Sequence, residues 1–280
     1  MVRIMTDSAA DFSLQEAQLS DVIIAPLPIT FENKVYLQER DPGFQEFYRL
    51  LQSSANMPFT SQAAPMDYIT SFEAARDSGD ELVVITLSGE LSSTHQTAHN
   101  IKSEIGYDGI YVIDGNTAVM GQRILVEEAL KLREAGKSGK EIYEAISALR
   151  QRVRVYGMID TLEYLKMGGR IAKSAAFIGT LMHVKPMIEV RDGKVHVTGK
   201  ARGTNAGIKL FFNMIDQGPQ IDRDYPVYFG YANTSNNCHK FRAQAQARYD
   251  LGECETFPVG GVIGTHIGPG ATAIAFIEKA

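Results

Sequence analysis

Basic charge is in short supply in this chain. Lys and Arg number 28 against 33 Asp and Glu, which leaves a net charge of −5. No basic stripe is present, so nucleic acid is not an expected partner. Cysteine is scarce as well. Cys238 and Cys254 have neither metal-binding nor redox spacing and read as free thiols of a reducing cytosol. Long apolar runs are missing: none approaches the ~20 residues of a membrane-spanning helix. Met1-Val2-Arg3 leads directly into a strand-like run, so no signal peptide is expected and the expected location is cytoplasmic. A Gly-Lys-Ser/Thr phosphate loop is absent. So is a Gly-x-Ser-x-Gly nucleophile elbow, because Leu87-Ser88-Gly89-Glu90-Leu91 lacks the first glycine. There are no repeats and no low-complexity segments.

What remains is an ordinary globular composition, long enough for one large or two medium domains with a real core. Val2–Thr6, Glu81–Leu87 and Ile110–Asp114 are short β-branched and apolar runs that read as buried strands. Phe44, Phe47, Tyr48 and Leu51 fall at i, i+3, i+4, i+7 after Asp41-Pro42 and predict an amphipathic helix. Pro65 starts another helix through Tyr68, Ile69 and Phe72, and Ser13–Leu19 makes a shorter one. Val22–Leu27 and Ile29–Tyr36, broken by prolines, suggest edge strands or a hairpin. Leu125, Ala129 and Leu132, then Ile142, Ile146 and Leu149, stripe two further helices. Strands alternating with helices imply a parallel α/β, Rossmann-like domain over residues 1–151. Ligands of such sheets sit at the carboxyl ends of the strands. That rule places Asp7-Ser8, Ser88–Thr94 and Asp114–Thr117 on one rim.

The second half reads differently. Val153–Ile159 is a strand, and Asp160 is the expected N-cap of a helix ended by Gly168-Gly169. Ile171–Met182 is apolar and helical. Arg191-Asp192-Gly193 between two strand patterns signals a hairpin. Ile208, Phe211, Phe212 and Ile215 stripe a helix, Ser235–Tyr249 makes another, and Val227–Tyr231, Glu253–Phe257 and Ala271–Ile277 are strands. Residues 152–280 are therefore expected to form an α+β domain with a largely antiparallel sheet.

Several local signals bear on function. Ser92 or Ser93 is an expected N-cap after the Glu81–Leu87 strand, with Gln96 as a capping-box partner and Thr94 adding a third hydroxyl. Such an end suits a carboxylate or a phosphate, although an ordinary capped helix fits equally well. His95 and His99 stand at i, i+4, but Gln96 occupies the place of a zinc protease's general-base Glu and no third ligand follows; two histidines on a helix flank is the better account. Gly260-Gly261-Val262-Ile263-Gly264 has no helix pattern after it and reads as close strand packing. Thr60-Ser61 is a hydroxyl pair beside a helix start, which alone is more often a cap than a ligand. Gly168-Gly169-Arg170 sets a cation beyond two glycines; a solvated arginine is the default reading, but the glycine pair suggests close backbone approach. Gly264-Thr265-His266-Ile267-Gly268-Pro269-Gly270 places a lone histidine in specially bent, exposed backbone, which favours a functional over a core role.

Taken in order, five segments resemble the DegV family of fatty-acid-binding proteins. They are Thr6-Asp7-Ser8, Thr60-Ser61-Gln62, Leu91-Ser92-Ser93-Thr94, Asp160-Thr161-Leu162-Glu163-Tyr164-Leu165-Lys166-Met167-Gly168-Gly169-Arg170, and the Gly264–Gly270 segment. The resemblance spans essentially the whole chain, and its Leu-Glu-Tyr-Leu-Lys-x-Gly-Gly-Arg string is specific. It implies a two-domain α/β fold with an acyl chain buried between the domains. It implies that the carboxylate is held by hydroxyls at Ser61 or its neighbour Thr60 and at Ser92, with Ser93 and Thr94 in the same turn, and that Arg170 and His266 stand close to the head group. It further implies no cofactor beyond the bound long-chain fatty acid, and a separate bacterial fatty-acid kinase as partner, which makes an acyl phosphate for phospholipid synthesis. Transient membrane-surface contact is compatible with such a role. The sequence departs from the family's usual pattern at Ser93 (Gly), His95 (Tyr), Ala63-Ala64 (Pro-Ser) and Gly115 (Ser). Ser93 narrows backbone freedom at the head-group turn.

The chemistry is consistent. Burial of an acyl chain yields about 0.8 kcal/mol per methylene, whereas a carboxylate in an apolar slot must be hydrogen-bonded. Ile159, Leu162, Leu165, Ile171, Ala175, Phe177, Ile178, Leu181 and Met182 form a dense apolar block around Arg170, either tunnel wall or plain core. Two other readings compete: a lipid or ester hydrolase or acyltransferase using Ser92 with His266, for which no acidic orienter is evident, and a small anion-binding module without lipid.

Overall fold

The structure, a computed structural model, describes residues 1–37, 43–54, 56–171 and 184–280. The chain runs β1 (Val2–Asp7), a short 3-10 turn, α1 (Leu14–Leu19), β2 (Val22–Ala25), β3 (Pro28–Phe31), β4 (Lys34–Leu37), α2 (Phe44–Ser53), β5 (Phe59–Thr60), α3 (Pro65–Ser78), β6 (Glu81–Thr86), α4 (Thr94–Ile105), β7 (Ile110–Asp114), α5 (Met120–Glu134) and α6 (Gly139–Leu149). It continues with β8 (Val153–Met158), α7 (Glu163–Met167), β9 (Val184–Arg191), β10 (Lys194–Arg202), α8 (Thr204–Gln217), β11 (Tyr228–Tyr231), α9 (Asn236–Tyr249), β12 (Glu255–Pro258), α10 (Gly261–Ile267) and β13 (Thr272–Ile277).

The apolar runs of the first half pair as a four-stranded parallel sheet in the order β2-β1-β6-β7. Val83, Val84, Ile85 and Ile4 are fully buried in it, as expected for strands covered on both faces. The proline-broken stretch instead gives β2 as a sheet edge and a β3–β4 hairpin, which joins β5 in a small three-stranded sheet. In the second half, the order β10-β9-β8-β13-β11-β12 is antiparallel except for the β11–β12 pair. One face of this sheet packs with α8 and α9 through Phe211, Phe229, Phe241 and Phe276; the other face joins the main core that includes the parallel sheet.

Two expectations fail locally. Asp160 does not cap α7; the helix begins at Glu163, and the Asp160 carboxylate pairs with Lys185 Nζ at 2.5 Å. Gly261–Ile267 is a helix, not packed strand. Its glycines lower helix propensity, but they let α10 lie against α2: a methyl added at Gly264 would stand 2.6 Å from Tyr48 Oη. Tyr48 Oη itself donates to the Val259 carbonyl at 3.0 Å just before α10. The expected apolar helix over 171–182 lies outside the described residues apart from Ile171, which is buried. So do Ala175, Phe177, Ile178, Leu181 and Met182, and the Asp41-Pro42 turn.

Candidate functional site

An apolar cavity lies where the carboxyl ends of the parallel strands meet one face of the six-stranded sheet. Leu27, Leu87 and Val119 line it from the first side, Val155, Ile188 and Val190 from the second, and Val262 and Ile263 of α10 from the third. The space open to the centre of a water-sized sphere is about 100 Å³, several times the ~10–15 Å³ that one water needs. Its polar lining residues are few: Thr60, Ser61, Ser92, Arg170, His266 and Thr272.

Five of these come from four distant segments, and hydrogen bonds link the segments of Thr60, Ser92, Arg170 and His266. Thr60, at the end of β5, has its Oγ1 2.9 Å from His266 Nε2, across 206 residues of sequence. The next turn of chain reaches α4, where Ala63 N donates to Thr94 Oγ1 at 3.4 Å and Thr94 Oγ1 lies 2.9 Å from Ser92 Oγ. Arg170 Nε donates to the Leu91 carbonyl at 3.0 Å, beside Ser92, and its Nη1 donates to the Gly168 carbonyl. No carboxylate pairs with Arg170 among the described residues. Burial holds the pKa of its guanidinium below the ordinary arginine value. A half-buried cation satisfied only by carbonyls is a site that favours an incoming anion.

His266 is not exposed, contrary to the expectation drawn from its glycine-rich surroundings. It occupies the last turn of α10 and is 9% exposed. Burial, and secondarily the Arg170 charge, push its pKa down to about 4, so the ring is neutral near pH 7. Nδ1 is buried without a hydrogen-bond partner. An orphaned N–H costs more than an orphaned lone pair, so Nδ1, which has no partner, is better left without a proton. The proton therefore resides on Nε2, which donates to Thr60 Oγ1 and leaves the Thr60 hydroxyl hydrogen free to point into the cavity. The Gly168 backbone lies against the Nδ1 edge of the ring.

Ser93 and Thr94 do not line the cavity. Ser93 Oγ donates to Gln62 Oε1 on the exposed side, and Thr94 is fully buried, acting on Ser92 and Ala63 from behind. Neither serine caps α4 in the expected way. Ser93 holds the N-cap position but its side chain makes no capping bond to the helix, Ser92 Oγ accepts from Thr94 N at 3.3 Å, and Gln96 bonds Asn100. Ser93 at φ −70°, ψ 0° adopts ordinary backbone, so serine in place of the family's glycine introduces no strain. His95 Nδ1 lies 3.3 Å from Thr86 Oγ1, and no group of three potential metal ligands occurs among the described residues.

Asp7 and Ser8 lie beneath the loop that follows β6. The Asp7 carboxylate accepts from Leu87 N at 2.7 Å and from Ala9 N at 3.1 Å. Full burial raises its pKa to about 6 in spite of these bonds. On the same rim, Gly89 N donates to Asp114 Oδ1 at 3.2 Å and Ser88 N to the Thr117 carbonyl at 2.8 Å. Sequence reasoning missed the Leu91 carbonyl as the partner of Arg170, because a backbone acceptor leaves no signature in the side chains.

A family model described as "Uncharacterised protein, DegV family" matches residues 1–279. The chain belongs to the DegV family. Its fold matches solved DegV structures over their full length. A fatty-acid-binding DegV family protein of Thermus thermophilus is 27% identical, with 99% of each chain covered and a TM-score of 0.88. A stearic-acid-binding protein of Eubacterium ventriosum is 26% identical, with 100% of this chain and 99% of that one covered and a TM-score of 0.88. The Streptococcus pneumoniae fatty acid kinase (Fak) B3 protein, solved with linoleic acid, is 20% identical and covers both chains fully, with a TM-score of 0.86; at that identity the likeness is one of fold. No helix among the described residues is long and apolar enough to cross a membrane.

Proposed function

We propose that this DegV family member binds a long-chain fatty acid and presents its carboxylate to a separate fatty-acid kinase in the cytoplasm. The acyl chain takes the apolar cavity. The carboxylate takes its polar end, facing Thr60, Ser61 and Ser92, with Ser93 and Thr94 supporting that turn and Arg170 and His266 alongside. The observation that carries this reading is the combination of a cation without a carboxylate partner among the described residues, a neutral histidine and three hydroxyls at the polar end of an otherwise apolar cavity. Residues 1–151 and 152–280 are the two proposed domains that enclose the ligand.

Chain burial supplies on the order of 10 kcal/mol gross, and ordering and desolvation take much of it back. The hydroxyls and Arg170 answer the cost of burying the carboxylate. A hydrolase is less well supported. His266 bonds Thr60 and has no acidic orienter at Nδ1, whereas a triad histidine needs one.

Arg170 and His266 then act chiefly in the phosphoryl step, where negative charge builds between the carboxylate and the incoming phosphoryl group. The test loads wild type, Arg170→Ala and His266→Ala with oleic acid, confirms loading by mass spectrometry, and measures acyl phosphate with a bacterial fatty-acid kinase. Turnover with wild type and its loss in both loaded variants support the reading. Full turnover in both rejects the division of labour, and no turnover with loaded wild type rejects presentation.

A further inference from the structure

The loop that carries Ser92 is held from behind by a residue with no place in the site described above. Ser88 is fully buried at the end of β6, and each of its polar groups is used. Its amide donates to Thr117 O, and its carbonyl accepts from Leu91 N at 3.0 Å and Ser92 N at 3.1 Å, closing the turn that aims Ser92. Its Oγ accepts from Glu90 N at 3.2 Å and donates to the Gly193 carbonyl at 2.9 Å. Gly193 is the tip of the β9–β10 hairpin, 105 residues away.

That tip is rigid. Asp192 (φ 51°) and Gly193 (φ 73°) occupy the two positive-φ positions of a two-residue hairpin turn. The fit at the contact is tight: a methyl at Gly193 would stand 2.4 Å from Ser88 Oγ and 2.8 Å from Asn116 Oδ1. Just behind the tip, Val190 and Val195 face each other across the hairpin and both line the cavity. One hairpin therefore forms cavity wall at its stem and holds the head-group loop at its tip. Exposed loops are mobile unless tied down, and holding a binding group in place lowers the cost of ordering it on association.

We propose that Ser88 is a positioning residue, and that the β9–β10 hairpin tip acts through it to hold Ser92 where the carboxylate of the ligand arrives. The inference rests on the fatty-acid reading above. In the ligand-bound protein, the wall that contacts the chain and the hydroxyl that contacts the carboxylate are set by the same two-residue turn.

Binding of oleate to the purified full-length protein tests this, with Ser88→Ala, Gly193→Ala, Ser92→Ala and their pairwise combinations. Ser88→Ala removes both hydrogen bonds of Oγ, the buried one to Gly193 and the half-buried one from Glu90 N, and should weaken affinity about ten-fold. Gly193→Ala should do the same from the other side, and less so in the Ser88→Ala background, where Oγ no longer occupies the space. The decisive readout is Ser88→Ala in the Ser92→Ala background: its cost should largely vanish, because no hydroxyl remains to be positioned. A role in folding alone would leave the two costs additive and overturn the proposal, as would wild-type affinity in folded Ser88→Ala. Should the alanine variant not fold, Ser88→Cys and Gly193→Ala carry the same comparison. Absence of oleate binding by wild type overturns the fatty-acid reading and this inference with it.

Discussion

Gly168→Ala isolates one contact on which the site depends. The backbone at Gly168 (φ −73°, ψ −8°) is right-handed and accepts alanine without strain. The obstacle is steric: the new methyl would stand 2.2 Å from His266 Nδ1, 2.9 Å from its Cε1 and 3.2 Å from the Tyr164 carbonyl. The ring must retreat by roughly 1 Å to restore van der Waals distance, and this stretches or breaks its 2.9 Å bond to Thr60. Overpacking costs about 1–3 kcal/mol, and the lost hydrogen bond about 1 kcal/mol more. At roughly 2–4 °C per kcal/mol for a chain of this size, Tm should fall by roughly 5–15 °C. Fatty-acid affinity should fall only about two- to three-fold, because Thr60 loses the partner that directs its proton while Ser61 and Ser92 still hold the carboxylate. Gly169→Ala is the control. Its φ of +70° is strained for alanine but its surroundings are open, so it should cost about 1–2 kcal/mol of stability and leave affinity unchanged. In a His266→Ala background the methyl at 168 has room and should cost almost nothing. Thermal melts and oleate titrations of the four variants decide the matter. Equal behaviour of the two glycine variants, or no relief in the His266→Ala background, refutes the reasoning.

Other expectations concern pH and the hydroxyls. The folded pKa of Asp7 is raised from 3.8 to about 6, so its contribution to stability is full at low pH and lost as pH rises through about 6. The folded pKa of His266 is lowered from 6.5 to about 4, so its contribution is full above 6.5 and lost as pH falls toward 4. The two oppose each other over nearly the same window. Tm of wild type should therefore change little between pH 4 and 6.5, should rise with pH in Asp7→Asn, and should fall with rising pH in His266→Asn; parallel profiles in all three would exclude the assignment. Ser61→Ala with Ser92→Ala should weaken fatty-acid binding more than either alone, each loss being worth about 1.5–3 kcal/mol, with the fold retained. Unchanged affinity in the folded double variant would move the carboxylate elsewhere.

Much of this architecture is legible in the sequence, because period and punctuation carry it. The β-branched runs at Val2–Thr6 and Glu81–Leu87, Pro65 at a helix start and Asp192-Gly193 at a turn are local signals with local causes. Local signals mislead where tertiary packing overrides them. Gly261 and Gly264 argue against a helix, yet α10 forms because those glycines let it reach Phe47 and Tyr48. His266 reads as exposed for the same reason and is buried against Gly168 and Thr60. Asp160 has the chemistry of a cap, but Lys185 competes for it from 25 residues away. Within the site, spacing cannot show that Thr60 meets His266 or that Ser88 meets Gly193. Family resemblance brings Thr60 and His266 to one place, but the direction of the proton between them follows only from the burial of Nδ1 without a partner.

The central claim is that the cavity holds an acyl chain. Native mass spectrometry of the full-length protein purified from a bacterial host tests it most directly. The account predicts an adduct of fatty-acid mass that leaves on denaturation, appears in the organic extract as a long-chain acid, and is diminished in the Ser61→Ala, Ser92→Ala double variant. Apoprotein in repeated preparations, with no uptake when oleic or stearic acid is added, would contradict it.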